Sequence, residues 1–339
     1  MKFITHLLIS TILLFLFQCK SSNEVSTDQP KSHYKKIASQ SGIDTWISDN
    51  LDLVVKIQAT VFYRTYRFDP TETFTKDSLH QQEIANLAVS IQTQTESSSG
   101  TAVVMAKSQH SAALLSANHV VNYPDTIWHS LAQSPEPQNR SIEAISVKVR
   151  ERFAAFVGSK YGPADLIVQS NKDDLAVLSS QFNVGGSLLP GSIKAGDSDK
   201  LDWADFVYAV GFPKGSKMIT SGIVSKTNRL MADGFSIDAP FNRGFSGGLV
   251  LAINRQTSEP EWVGMLTSAT ADINYELEPR EMILEEYAPE LPYTGTIFVK
   301  RKSNINYGIT HAVSMAQIRT FLNENSSILE DKGFDIEEF

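Results

Sequence analysis

The 339-residue sequence has a single cysteine, Cys19, so no internal disulfide can staple the fold and stability must come from a buried core. It lacks a basic surplus. Lys and Arg number 30 against 38 Asp and Glu, a net charge of −8, and no basic stripe with interleaved aromatics occurs, so nothing supports nucleic-acid binding. It has no internal repeat and no glycine-rich loop to cradle phosphates, and no cofactor or metal is expected. The one long apolar run, Leu7 to Phe17, is too short to span a bilayer comfortably.

That run follows a basic start at Lys2, the pattern of a secretory signal peptide over residues 1–18. Cys19 directly after it resembles the lipid-attachment cysteine of bacterial lipoproteins, although Gln18 stands where a small residue is usual. The resemblance implies export, with the chain held at a membrane through a lipidated N-terminus and facing the periplasm or the cell exterior. Residues 19–32 read as a polar tether without a core-forming pattern.

Beyond the tether, short apolar or alternating runs dominate. "DLVVKIQATVFYRTYRF" (52–68) is rich in β-branched and aromatic residues and reads as one or two strands within an extension over 33–84. "GTAVVMA", "SAALLSA", "ISVKVRERFAAFV", "LAVLSS", "DFVYAVGF" and "GLVLAIN" follow, separated by Gly, Asn and Ser. This pattern predicts an all-β barrel or sandwich. One helix is expected near the end: in "SMAQIRTFLNE" Ser314 can cap, and Met315, Ile318, Phe321 and Leu322 share a face. Residues 326–339 then read as a tail. Two polar stretches, 122–141 and the acidic 272–295 with a possible short helix, read as insertions between strands, the acidic one as a solvated surface loop.

Three segments carry residues of chemical interest. "FNRGFSGGLVL" (241–251) sets Ser246 among three glycines, either as a turn residue or as an exposed nucleophile. "LLSANHVVN" puts His119 after an apolar run, as a structural histidine or a base. "NKDDLAVLSS" puts Asp173 and Asp174 before another, as turn caps or an orienting carboxylate. Acyl transfer by a serine needs all three types, with backbone N–H groups to hold the oxyanion. Taken singly, the segments leave both readings open.

In this order the segments resemble the HtrA branch of the trypsin-like serine proteases. "GTAVVMAKSQHSAALLSANHVV" resembles the strand pair ending in that family's histidine. "ADLIVQSNKDDLAVL" resembles the stretch holding its aspartate, which selects Asp174 over Asp173. "IDAPFNRGFSGGLVLAIN" resembles its nucleophile turn, and "NYGITHAVSMAQI" its last strand and closing helix. The resemblance covers roughly 85–325 and implies a chymotrypsin-like pair of six-stranded antiparallel β-barrels with a C-terminal helix. It also implies a catalytic set of His119, Asp174 and Ser246, and an oxyanion hole from the N–H groups of Gly244 and Ser246. Polypeptide substrates would pair with Thr267, Ser268 and Ala269. Pro240, six positions before the serine, would floor an uncharged primary pocket.

The sequence departs from that family in three ways. Phe245 precedes the nucleophile where Asn or Asp is usual, so the turn must be held differently. His119 and Asp174 stand 55 positions apart, which fits the insertion at 122–141. No stretch remains for the PDZ domain that usually follows, and the oligomeric state is left open. Phe245 and the missing PDZ domain favour a rival reading, a catalytically inactive surface lipoprotein that keeps the fold and acts by binding. The full set of three chemical groups favours the enzyme.

Overall fold

Along "VVKIQATVFYRTYR" the side chains of Val55, Ile57, Ala59, Val61 and Tyr63 point inward and are fully buried, while those between them are half-buried or exposed. This period of two is what a strand with one core face requires. The computed structural model describes residues 46, 49–80, 83–108, 111–130, 141–157, 160–181, 193–227, 234–279 and 297–336. Residues 1–32, expected to hold a signal peptide, Cys19 and a polar tether, lie outside them.

The first barrel comprises β1 (Val54–Arg67), β2 (Ser90–Lys107), β3 (Ala112–Ala117), β5 (Ile142–Val157), β6 (Lys160–Ser170) and β7 (Leu175–Ser180). The strands run in the order β1-β2-β3-β7-β6-β5, and the ring closes where β1 pairs with β5. A further strand, β4 (Thr126–Ser130), pairs with β5 outside the ring. The second barrel comprises β8 (Phe206–Gly211), β9 (Met218–Lys226), β10 (Phe235–Ile237), β11 (Leu249–Ile253), β12 (Pro260–Pro279) and β13 (Ile297–Ser314). It closes in the order β10-β13-β12-β11-β8-β9. All ladders are antiparallel, as expected of the double barrel. Short helical turns α1 (Lys76–His80), α2 (Ile84–Leu87) and α3 (Asn118–Val121) sit in the first half of the chain. Helices α4 (Met315–Glu324) and α5 (Ser326–Asp331) close it.

Helix α4 is built as expected. Ser314 Oγ accepts from Gln317 N, Gln317 Oε1 accepts from Ser314 N, and Met315, Ile318, Phe321 and Leu322 are buried. These join a core with the inward residues of the first barrel and with Val210, Leu249, Trp262 and Met265 from the second. The rest of the second barrel has its own core around Val207, Phe235, Phe241, Phe245 and Val263.

The structure corrects four boundaries. Residues 54–67, expected in an extension ahead of a domain starting at 85, form β1. Without β1, β2 and β5 would each present an open edge, so it belongs to the barrel. Residues 326–336 are not a loose tail, because Leu329, Phe334 and Ile336 are buried against the first core. Within 122–141, Thr126–Ser130 form β4. Within 272–295, residues 272–279 continue β12 and pair with β13 in place of the expected loop, while the segment proposed as a short helix falls outside the described residues. Among the described residues no helix is long and apolar enough to cross a membrane.

Candidate active site

Strand β3 is fully buried and apolar except at Ser116, and the chain leaves the barrel at its end in the single turn of α3, which carries His119. Asp174 lies just before β7 with φ +55, a left-handed value uncommon for aspartate. Three hydrogen bonds hold that loop against α3. Asn118 N donates to Asp174 O at 3.0 Å, and Asn171 Oδ1 accepts from the amides of Asn118 and Asn122, each at 2.7 Å. The carboxylate is thereby aimed at the histidine from both ends of the turn. Asp174 Oδ1 accepts from His119 N at 2.9 Å and Oδ2 lies 2.8 Å from His119 Nδ1. Asp173 bonds Ser170 instead and caps the turn.

Ser246 comes from the second barrel, and its Oγ lies 2.8 Å from His119 Nε2. An ionised Asp174 can only accept, so Nδ1 carries the proton and Nε2 presents a lone pair to the hydroxyl. That chain of hydrogen bonds can move a proton from Ser246 to the imidazole as the oxygen attacks. The hydroxyl also lies within reach of Thr267 O at 3.1 Å, and its single proton can serve only one of the two acceptors at a time.

The nucleophile turn is fixed through its carbonyls. Arg243 O accepts from Lys214 N (3.0 Å), Gly244 O from Thr101 Oγ1 (2.7 Å), Phe245 O from Gly248 N (2.8 Å) and Ser246 O from Thr101 N (2.8 Å). Of the amides, Phe245 N donates to Asn242 O and Gly247 N to Leu266 O. Those of Gly244 and Ser246 have no partner among the described residues. In a trans peptide the N–H points opposite the C=O, so holding Arg243 O and Phe245 O also fixes the directions of the Gly244 and Ser246 N–H groups. Gly244 sits at φ +105 as third residue of the turn closed by Phe245 N, a place that favours glycine. A Cβ there would lie 2.3 Å from Phe212 O.

Phe245 answers the question its sequence position raised. Its side chain is 3% exposed and packs in the second core with its ring 6.2 Å from that of Phe241. The turn is anchored by apolar packing where a polar side chain was the usual solution. Gly211 makes room for it, since a Cβ at that position would lie 2.8 Å from Phe245 Cδ1.

Between the barrels the cleft encloses about 480 Å³, with walls that include His119, Phe241, Arg243, Gly244, Ser246 and residues 97–99 of β2. Thr267, Ser268 and Ala269 also line it. Pairing of β11 with β12 ends at Met265, while β13 continues along the other edge, so beyond Leu266 the edge facing Ser246 carries no strand among the described residues. Pro240 is not in this wall. It is exposed, and its buried neighbour Phe241 lines the cavity, because the chain between β10 and the turn alternates its side chains between solvent and barrel. Asp238, eight positions before Ser246, accepts from Ile223 N at 2.6 Å and ties β10 to β9. Sequence reasoning missed Phe241, Lys214 and Thr101. Only Phe241 carried a signal, as an aromatic residue in the quoted turn.

The loop beneath the turn has its own prop. Lys217 Nζ donates to Leu51 O, lies 3.7 Å from Asp52 Oδ1 and stands 5.5 Å over the Phe212 ring. Burial pushes its ammonium below the usual lysine range, against the pull of Asp52. On the far side of β12, His311 Nδ1 lies 2.9 Å from Ser236 Oγ, and burial, assisted by Lys226, lowers its pKa.

Residues 100–258 match the family described as a trypsin-like peptidase domain. A stretch of 98 residues, 27% of this chain, is 42% identical to the periplasmic pH-dependent serine endoprotease DegQ of Escherichia coli K12 and spans 21% of that protein, about a fifth of the curated relative's length. Among solved structures the chain is similar to the Rv3671c protease of M. tuberculosis. The active form is 13% identical over 82% of each chain, with a TM-score of 0.42. The inactive form is 13% identical over 83% of this chain and 92% of that one, with a TM-score of 0.41. Over residues 100–258 the chain is thus similar to the trypsin-like peptidase domains, and over a shorter stretch to an HtrA-type member of them.

Proposed function

We propose that the protein is a serine endopeptidase acting outside the cytoplasm. Ser246 Oγ attacks the scissile carbonyl carbon while His119 Nε2 takes its proton. The resulting imidazolium is held by Asp174 and returns the proton to the leaving amine, leaving an acyl-enzyme on Ser246 that water hydrolyses by the same route. The N–H groups of Gly244 and Ser246 receive the oxyanion. One observation carries this reading: a continuous hydrogen-bonded line from Asp174 through His119 to Ser246, beside two amides with no other partner among the described residues.

The substrate is a polypeptide that adds as a strand to the open edge at Thr267–Ala269. Among the described residues the cleft lining includes no carboxylate, and Phe241 lines it where a Lys- or Arg-reading pocket would need one, so an uncharged residue before the cut is favoured over Lys or Arg. Export is supported by the signal-like N-terminus and by the periplasmic DegQ likeness, and lipidation at Cys19 would hold the enzyme at a membrane. A fluorophosphonate probe labels wild-type protein and fails on Ser246→Ala. Folded wild type that stays unlabelled would shift the assignment to a binding protein on the protease fold. A peptide-library profile dominated by Lys or Arg before the cut would refute the uncharged pocket.

A further inference from the structure

The turn that carries Ser246 belongs to the second barrel, yet two of its carbonyls are held by a residue of the first. Thr101 lies on β2 and is fully buried. Its N–H donates to Ser246 O, its Oγ1 donates to Gly244 O at 2.7 Å, and the same oxygen accepts from Phe212 N at 2.9 Å. The hydroxyl thus has its proton committed to the turn and a lone pair committed to the loop below. That loop in turn supplies Lys214 N to Arg243 O. The direction of the Gly244 N–H is set by the Arg243–Gly244 peptide plane. One end of that plane is held through the Phe212–Lys214 loop, and the residue's own carbonyl is held directly. Both routes begin at Thr101 Oγ1. The hydroxyl sits close against the chain at Gly211, where a Cβ would lie 2.9 Å from Thr101 Oγ1.

On this basis we infer that the Thr101 hydroxyl is a positioning group for the oxyanion hole, by which the first barrel holds the Gly244 amide in place. It touches neither substrate nor nucleophile. The inference rests on the peptidase reading above and adds a residue to it. Replacing the hydroxyl by a methyl group of the same shape leaves Gly244 O and Phe212 N without their buried partner, so the turn is expected to relax toward other arrangements. The cost should fall on the transition state, because the ground-state carbonyl makes little use of the hole.

The test compares Thr101→Val and Thr101→Ser with wild type on a cleavable peptide, normalised to folded protein. Thr101→Val is expected to lower kcat by about 10- to 100-fold with KM nearly unchanged, less than the roughly 10²- to 10³-fold typical of deleting a donor outright. A peptide boronate, whose tetrahedral adduct needs the hole, should lose affinity in parallel, while a product peptide should not. Thr101→Ser, which keeps the hydroxyl, should recover most of both. Two results would overturn the inference: Thr101→Val with wild-type kcat and boronate affinity, or Thr101→Ser as impaired as Thr101→Val. A role confined to stability is a third, seen as a lowered Tm with kcat per folded molecule intact. Wild type that neither cleaves nor labels with fluorophosphonate would instead remove the peptidase reading beneath it.

Discussion

Phe245 offers the sharpest test of how this nucleophile turn is held. If apolar packing anchors it, the order of damage on substitution follows from burial. The ring is 3% exposed, among Phe241, Val250, Val263 and Leu266. Phe245→Ala removes a buried aromatic from a core that can collapse only in part, at a cost of roughly 3–5 kcal/mol. The tilted pair with Phe241 accounts for about 0.5–1.5 kcal/mol beyond area. Phe245→Leu keeps most of the volume and should cost on the order of 1 kcal/mol. Phe245→Asn restores the residue type usual in the family, yet here it places an amide among hydrocarbon side chains. It should cost about 1–3 kcal/mol beyond the lost packing. At about 2–4 °C per kcal/mol for a domain of this class, Phe245→Ala should lower Tm by on the order of 10 °C. Thermal melts and urea titrations of the three variants give the ranking directly. Phe245→Asn as stable as wild type would refute the reasoning, because the amide would then have found polar partners at a site this structure makes apolar.

Other outcomes follow from the same geometry. Gly244→Ala forces a Cβ to within 2.3 Å of Phe212 O at φ +105 and should abolish cleavage, with an activity loss of at least about 100-fold, while normal turnover would mean the turn can be rebuilt. His311 has its pKa lowered by burial, so the unfolded chain takes up its proton first as pH falls below about 6.5. Its stabilising contribution is present above that value and is lost on acidification through the folded pKa. His311→Gln should flatten this part of a Tm profile between pH 8 and 5, and superimposable profiles would count against it. Ending the chain after Asn325 removes the buried Leu329, Phe334 and Ile336 and should lower stability by on the order of 3 kcal/mol after ordering entropy is offset. An unchanged urea midpoint would show that this segment only rests on the surface.

Much of the architecture could be read from local pattern. The β-branched and aromatic content of 52–68 marked one or two strands, and the cap and apolar face in 314–324 marked a helix. What pattern did not reveal was membership. Nothing in "VVKIQATVFYRTYR" says that its partners are residues 90–103 and 144–156, so β1 read as an extension until pairing closed the barrel. Phe334 and Ile336 have no helical or strand period, and only tertiary packing buries them. Counting back from Ser246 gave Pro240, but which of two adjacent residues faces the cleft depends on the phase of the chain leaving β10, and that phase puts Phe241 inside.

The site divides along a different line. His119, Asp174 and Ser246 were legible because their proposed chemistry depends on side-chain type, and few residue types can supply it. The parts that hold the turn were not, because they are mostly backbone carbonyls, which every residue has. Thr101 shows the consequence. Its partners Phe212 and Gly244 lie 111 and 143 positions away, and a threonine inside a strand-like run looks like any other β-former. An oxyanion hole is made of amides left over once the surrounding carbonyls are held. Its presence is therefore a property of the complete hydrogen-bond accounting of the turn. A residue that closes that accounting can be essential to the reaction while carrying no chemical signature of it.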